Sequence, residues 1–315
     1  MTRRRILVSL AIFCLVAIGG GVAFWARLQR APHLPPLTGR LVYVSDRTGR
    51  AELFLRMLDS GEERQLTHLT DPVGEPALAP DGRRVAFSMG GRIGVADLAS
   101  GEARIYTLGV AWRDRSPAWR PDGGALVVAS RRAPNEPSDI HELIFDGAPD
   151  APMGIARRPL TQTPGLAEES PLYGADGRFV LFVREENIFR LDLGDDHPRR
   201  LTGGFKKCRA PARLPDGRVV FAWSLAKVHG LDRMDADGKN RETLAEGSVF
   251  YRTLAPSPDG RFIAATYTFD LAFQPSAALR MRQTEELRLL DARGAPIGTL
   301  ASSWRFANAA PSWGP

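Results

Sequence analysis

Glu75-Pro-Ala-Leu-Ala-Pro-Asp-Gly-Arg-Arg-Val-Ala-Phe87 reads as a strand, a tight Pro-Asp-Gly turn and a second strand. Proline presets the turn's first φ, aspartate caps it with its own side chain, and glycine takes the positive φ. The unit recurs. Ser116-Pro-Ala-Trp-Arg-Pro-Asp-Gly-Gly-Ala-Leu-Val-Val128 is one copy, and Ser170-Pro-Leu-Tyr-Gly-Ala-Asp-Gly-Arg-Phe-Val-Leu-Phe182 is another. Ala210-Pro-Ala-Arg-Leu-Pro-Asp-Gly-Arg-Val-Val-Phe221 and Thr253-Leu-Ala-Pro-Ser-Pro-Asp-Gly-Arg-Phe-Ile-Ala264 follow. Ala310-Pro-Ser-Trp-Gly-Pro315 is the first half of a sixth copy, and Thr38-Gly-Arg-Leu-Val-Tyr-Val44 supplies a second half. A repeat divided at its turn between the two ends of the chain predicts a ring closed by pairing of N- and C-terminal strands.

Counted at the turn proline or its equivalent (Leu37, Pro80, Pro121, Ala175, Pro215, Pro258, Pro315), the spacings are 43, 41, 54, 40, 43 and 57 residues. Periods near 40–45 are those of four-stranded propeller blades. Each unit reads as strands A to D. Strand B is continuously apolar, as in Phe179-Val-Leu-Phe-Val183 and Val219-Val-Phe-Ala-Trp223, which implies burial on both faces. Strand C, such as Ile188-Phe-Arg-Leu191, runs into an Asp/Gly turn, and strand D ends at pairs such as Leu66-Thr67 and Leu201-Thr202. From the second residue of each D-end pair to the next turn proline or its equivalent is 13 or 14 residues in all six units. A ring demands such a constant, because every outer strand crosses to the next inner strand over the same distance. The fold class is therefore all-β, a six-bladed β-propeller.

Residues 1–30 carry five arginines and no acid, and the remainder holds 37 basic and 36 acidic side chains. A nearly neutral domain lacks the basic surplus of a nucleic-acid binder. Of two cysteines, Cys14 lies in the apolar N-terminal run, so Cys208 has no internal disulfide partner. Residues 6–26 are 21 positions without a charge, long enough at ~1.5 Å per residue to cross a ~30 Å hydrocarbon core as a transmembrane helix. Arg3, Arg4 and Arg5 before it place the N-terminus in the cytoplasm. The reading is a bacterial inner-membrane, single-pass signal anchor (1–30), a Pro-rich linker (31–37) and a periplasmic propeller (38–315). The alternative is a cleaved signal peptide, with Gly21-Val-Ala23 as the cleavage site and a secreted periplasmic product.

The unit Pro-x-Trp-x-Pro-Asp-Gly-Arg-x-Ile/Val-Ala-Phe … Asp-x-x-Gly … Arg-x-Leu-Thr resembles the WD40-like (PD40) repeats of the TolB β-propeller family, over residues 38–315. The resemblance implies a six-bladed propeller. The family's type member is a soluble periplasmic protein of the Tol-Pal envelope system with an α/β domain before the propeller. Here the corresponding stretch reads as membrane segment and linker. The same repeat builds the propeller of prolyl-oligopeptidase-like peptidases, where an α/β-hydrolase domain follows.

No Gly-x-Ser-x-Gly elbow, P-loop or dinucleotide fingerprint occurs. Asp235-x-Asp237-Gly238 matches the start of a calcium loop but lacks the remaining ligands, so it reads as a strand C–D turn. His33, His68, His141, His197 and His229 show no metal-ligand spacing and read as surface or blade-edge histidines. No metal or cofactor is expected, and Cys208 reads as a packed thiol.

The candidate site lies just before strand A, where blades converge on one rim of the channel. Arg115, Glu169, Arg209 and Arg252 occupy one ring position, and Asp114, Glu168 and Tyr251 the position before it. Arginine forks suit a carboxylate or a peptide terminus; the alternative is salt bridging between blades. Two long B–C connections, residues 131–138 and 268–285, flank the same rim. In the second, Phe269 and Phe273 share one side of an extended segment, as a contact site or as a lid on their own blade. The expected function is a non-enzymatic platform binding a protein or peptide of the cell envelope. The alternative is a channel-sited hydrolase or lyase acting on a small or sugar-like substrate.

Overall fold

A computed structural model describes residues 34–106, 112–146, 154–269, 286–301 and 308–315; at 146, 154, 268, 269 and 308–310 it describes the backbone alone. The apolar run 6–26 and Phe273 lie outside the described residues. No helix among the described residues is long and apolar enough to cross a membrane.

The residues from Leu37 to Pro315 form one compact unit made of strands. The first sheet holds β1 (Arg40–Ser45), β2 (Glu52–Met57) and β3 (Glu63–Gln65). The second is β4 (Val73–Leu78), β5 (Arg84–Met89), β6 (Arg92–Asp97) and β7 (Ala103–Tyr106). The third is β8 (Arg113–Trp119), β9 (Ala125–Arg131), β10 (Asp139–Asp146) and β11 (Gly154–Pro159). The fourth is β12 (Glu168–Tyr173), β13 (Phe179–Arg184), β14 (Asn187–Asp192) and β15 (Arg199–Arg200). The fifth is β16 (Lys207–Arg213), β17 (Val219–Leu225), β18 (Val228–Met234) and β19 (Glu242–Gly247). The sixth is β20 (Val249–Pro256), β21 (Phe262–Phe269), β22 (Glu286–Asp291) and β23 (Pro296–Ala301). The last strand, β24 (Asn308–Gly314), pairs antiparallel with β1 in the register Arg40↔Gly314, Leu41↔Trp313. These are the six four-stranded blades that the repeat predicts.

The strand B prediction holds residue by residue. Val219 to Ser224 in β17 and Ala125 to Ser130 in β9 are all buried. Apolar contact is made blade against blade, so the core is a set of seams. One seam joins Val42 and Leu53 to Val85 and Phe87, the next joins Ile93 to Leu126 and Leu143, and the next Val127 to Val180 and Phe182. Each fully buried Leu, Val or Phe contributes roughly 1.5–3 kcal/mol. No blade can bury both faces without two neighbours.

The Pro-Asp-Gly turn has the geometry its sequence requires. Gly82 donates its N–H to Ala79 O at 3.0 Å with φ 65°, and Asp81 Oδ1 accepts from Arg83 N at 2.8 Å. The D-end Leu-Thr pair also has a local task. Leu66, Leu160 and Leu201 donate N–H to the carbonyls of Leu53, Ile140 and Ile188. Thr67, Thr161 and Thr202 Oγ1 accept the amides of those same strand C residues, at 3.0, 2.8 and 2.9 Å.

Strand C carries a glycine beneath a strand B aromatic in two blades, Gly94 opposite Phe87 and Gly230 opposite Trp223. A Cβ at Gly230 would lie inside van der Waals distance of both the Trp223 indole and Ala245 O. Gly230→Ala is therefore expected to destabilise the protein by about 1–3 kcal/mol, through overpacking rather than backbone strain. Chemical denaturation with an unchanged m-value checks this; an unshifted midpoint counts against it.

Candidate functional site

Strand A begins earlier than the sequence reading placed it. The candidate residues sit inside strand A rather than before it, because the strand continues through a β-bulge. Register shifts fall between Gly74 and Ala77, Arg115 and Ala118, Glu169 and Leu172, and Arg209 and Ala212. At each bulge a residue with positive φ precedes the proline: Glu75 (51°), Ser116 (52°), Ser170 (51°) and Ala210 (47°). Proline has no N–H for the ladder, so a bulge is where a strand accommodates it.

The outer ring position is a structural clasp. Val73, Asp114, Glu168 and Cys208 each donate their amide to a carbonyl in the B–C connection of the preceding blade. The acceptors are Ala51, Gly91, Ser138 and Glu186, at 3.0, 2.8, 2.7 and 2.7 Å. Their side chains are buried in the seams. The Asp114 carboxylate accepts Ser130 Oγ and pairs with Arg157 at 2.6 Å. Glu168, fully buried, takes Arg184 Nε at 2.9 Å and Nη2 at 2.5 Å on Oε1, and Thr161 Oγ1 on Oε2. Tyr251 is buried in the seam between blades five and six, and burial raises its pKa. Burial raises the Cys208 thiol pKa as well.

The next position forms the rim. Arg115 and Glu169 pair across two blades at 2.6 Å, each side chain more than a third exposed. Screening by water limits such a pair to about 1 kcal/mol or less. Arg209 is half-buried; its Nη1 donates to Ser224 Oγ at 2.8 Å and its guanidinium lies 4.2 Å from the Phe250 ring centroid. Burial lowers its pKa, with Glu186 acting in the opposite sense. Arg252 is exposed. Among these four side chains there are three arginines and one carboxylate. The backbone of Phe269 pairs with Val249 at the end of β21, next to this rim.

Two histidines expected at surface or blade-edge positions are buried. His141 and His229 each stand near the start of a strand C. The second holds Ser224 Oγ on its Nδ1 at 2.7 Å, within the cluster that includes Arg209. No three His, Cys, Asp or Glu side chains among the described residues are placed to share a metal ion.

The repeat and the architecture have a family counterpart. The family described as the PD40 TolB beta propeller domain matches residues 26–260. The chain belongs to that family. A TolB homolog of Chlorobium luteolum is 30% identical over 180 residues, covering 52% of this chain and 38% of that protein. One from Chlorobium chlorochromatii is 29% identical over 150 residues, covering 46% of this chain and 31% of its own. The chain thus matches well under half the length of these curated relatives. Among solved structures, TolB from Acinetobacter baumannii superposes with a TM-score of 0.68 at 18% identity, over 93% of this chain and 70% of that one. An oligogalacturonate lyase in complex with manganese reaches 0.58 at 15% identity, over 82% and 73%. Likeness at such identities is likeness of fold.

Family membership accounts for the scaffold and leaves the rim chemistry to this chain's own residues. The Ser224–His229–Arg209 cluster had no signal in the sequence, since no motif links positions 15 and 20 residues beyond Arg209. The neighbourhood of His141 was equally hidden. Burial first, then the Arg157 charge, push its pKa down to about 4, while Asp114 opposes them and Arg132 adds to the depression. Protonation of the unfolded chain near pH 6.5 then favours unfolding. Stability is expected to fall by up to about 3 kcal/mol as pH drops from 6.5 to 4, and His141→Asn should flatten that slope. Urea denaturation across this range reads it; identical slopes in both proteins would contradict the assignment.

Proposed function

We propose that this chain is a non-enzymatic binding platform of the cell envelope. On this reading residues 1–30 anchor it in a bacterial inner membrane, 31–37 act as a linker, and the propeller (38–315) stands in the periplasm. One observation carries the binding role. Arg209 stands on the rim half-buried, with no acid in ion-pairing contact among the described residues, beside the exposed Arg115–Glu169 pair. Guanidinium groups held in this way recognise carboxylates by paired hydrogen bonds. The partner is therefore a protein or peptide that presents acidic side chains or a chain terminus to the rim. Phe269 and Phe273 would supply apolar contact beside it. Asp114, Glu168 and Tyr251 act as seam residues that position the rim.

A second reading, a channel-sited hydrolase or lyase, has one observation in its favour. Ser224 Oγ lies within hydrogen-bonding distance of both His229 Nδ1 and Arg209 Nη1, an arrangement of hydroxyl, base and cation. Ser224 is itself buried, which weighs against direct attack on a substrate.

Photo-cross-linking residues at Glu169 and Arg252, in cells, test the platform. A discrete envelope protein is expected at both positions, with at least roughly tenfold less product in Arg209→Glu. Equal capture in that variant, or none in the parent, overturns the platform. The ring is further proposed to depend on the β24–β1 pairing for its stability. Deleting residues 311–315 removes Trp313, which stacks on Phe262 and bonds Thr38 O. Loss of one buried tryptophan costs about 3–5 kcal/mol. Melting about 10 °C lower is expected, and melting like the full chain would refute the dependence.

A further inference from the structure

The end of the channel opposite the rim, at the Pro-Asp-Gly turns, has a different chemistry. Strand A residues of all six blades, with turn residues of four of them, surround about 440 Å³ there. The turn prolines Pro80, Pro215 and Pro258 stand around this mouth, with Trp119 and Trp313 between them. Among its described lining residues a single side chain carries a charge, that of Arg213.

Arg213 ends β16, immediately before the turn. It is half-buried and donates one hydrogen bond, from Nη1 to Gly174 O of the preceding blade at 3.0 Å. Several half-buried arginines of this protein have acids. Arg184 has Glu168, Arg190 has Asp192, and Arg120 has Asp122 and Glu142. Arg213 has no carboxylate in ion-pairing contact among the described residues, and burial alone pulls its pKa below the usual arginine range. A guanidinium presents five N–H donors in a planar fork, so most of its donor capacity is open to a ligand. A desolvated cation beside an apolar wall is costly until an anion joins it.

We propose that this mouth binds an apolar carboxylate. The Arg213 fork takes the carboxylate, and the proline and tryptophan side chains pack against the apolar remainder. That volume lies within the ~300–1,000 Å³ of small-ligand sites. A free apolar acid and the end of an apolar peptide share this chemistry. The site is separate from the rim: Arg209 and Arg213 lie on the same strand, but on opposite sides of its bulge.

Calorimetric titration of the full chain tests the proposal, with acetyl-Ala-Ala-Leu as free acid, the same peptide as its amide, and hexanoate. At least one acid is expected to bind, and the peptide amide is expected to bind at least roughly tenfold more weakly than its acid wherever the peptide binds. Arg213→Gln should weaken acid binding to the same extent, and Arg213→Lys should restore part of it. Binding that survives Arg209→Glu and is lost in Arg213→Gln belongs to this mouth, and binding with the opposite dependence belongs to the rim, so failure here and failure of the rim reading are separable. Tighter binding of the peptide acid assigns the site to peptide ends, and tighter binding of hexanoate assigns it to free apolar acids. Binding of neither acid, equal binding of peptide acid and amide, or full affinity in a folded Arg213→Gln overturns the proposal. Should the variant fail to fold, the acid–amide comparison on Arg209→Glu, which lacks the rim fork, decides.

Discussion

The rest of this structure depends on how one blade is fixed to the next. Four strand A amides, of Val73, Asp114, Glu168 and Cys208, reach back to the B–C connection of the preceding blade at 2.7–3.0 Å. These bonds sit at the start of four inner strands, where a one-residue slip would exchange the buried and rim side chains. The clasp therefore sets the inner radius and the register together. The bulge that follows it bends the strand and carries the proline whose missing N–H the ladder could not use. Glu75 joins adjacent bulges directly, accepting Ser116 N at 2.8 Å and Ser116 Oγ at 2.9 Å. Ring spacing, rim composition and the mouth at the other end all follow from this arrangement.

Arginine does much of the remaining stitching, which explains a charge balance that is nearly neutral yet rich in arginine. Arg56 donates to Leu300 O, Arg190 to Ala236 O and Arg199 to Asp237 O, each in a neighbouring blade. At the turn end, Arg40 reaches Gly82 O, Arg84 reaches Gly123 O and Arg213 reaches Gly174 O. Exposed turn carbonyls are acceptors that no strand neighbour satisfies, and a long planar donor reaches them across a seam. Most of these arginines serve the scaffold. Arg209 and Arg213 differ in place: each is half-buried at one end of the channel, with no carboxylate in ion-pairing contact among the described residues.

The buried polar side chains extend the same logic. Glu168 receives hydrogen bonds from Arg184 of its own blade and from Thr161 of the preceding one, so a single carboxylate ties the D-end threonine to the clasp. Asp232 does similar work within blade five, accepting Trp223 Nε1 at 2.6 Å and Arg241 Nε at 2.7 Å. Removing one partner from such a network leaves a buried charge unpaired, which costs more than the bond itself contributes. Acidic residues near a channel are therefore a poor guide to chemistry until their partners are known.

The blades were legible in the amino-acid sequence because their determinants are local. A continuous apolar run such as Phe179-Val-Leu-Phe-Val183 must be buried on both faces, and Pro-Asp-Gly must turn wherever it stands. Strand order and blade number follow from those signals repeated along the chain, and the Leu-Thr pair marks the D-end in three of the six units. The division of Asp114, Glu168 and Tyr251 from Arg115, Glu169, Arg209 and Arg252 was not legible. Adjacent residues of a strand point to opposite sides, and a bulge inserts an extra residue that resets the alternation. Which arginines meet a carboxylate is also decided by blade packing, across as many as 54 residues for Arg115 and Glu169. The sequence by itself determined the ring of blades. Only the tertiary structure decided which charges meet a partner, because pairing is a property of the seams between blades.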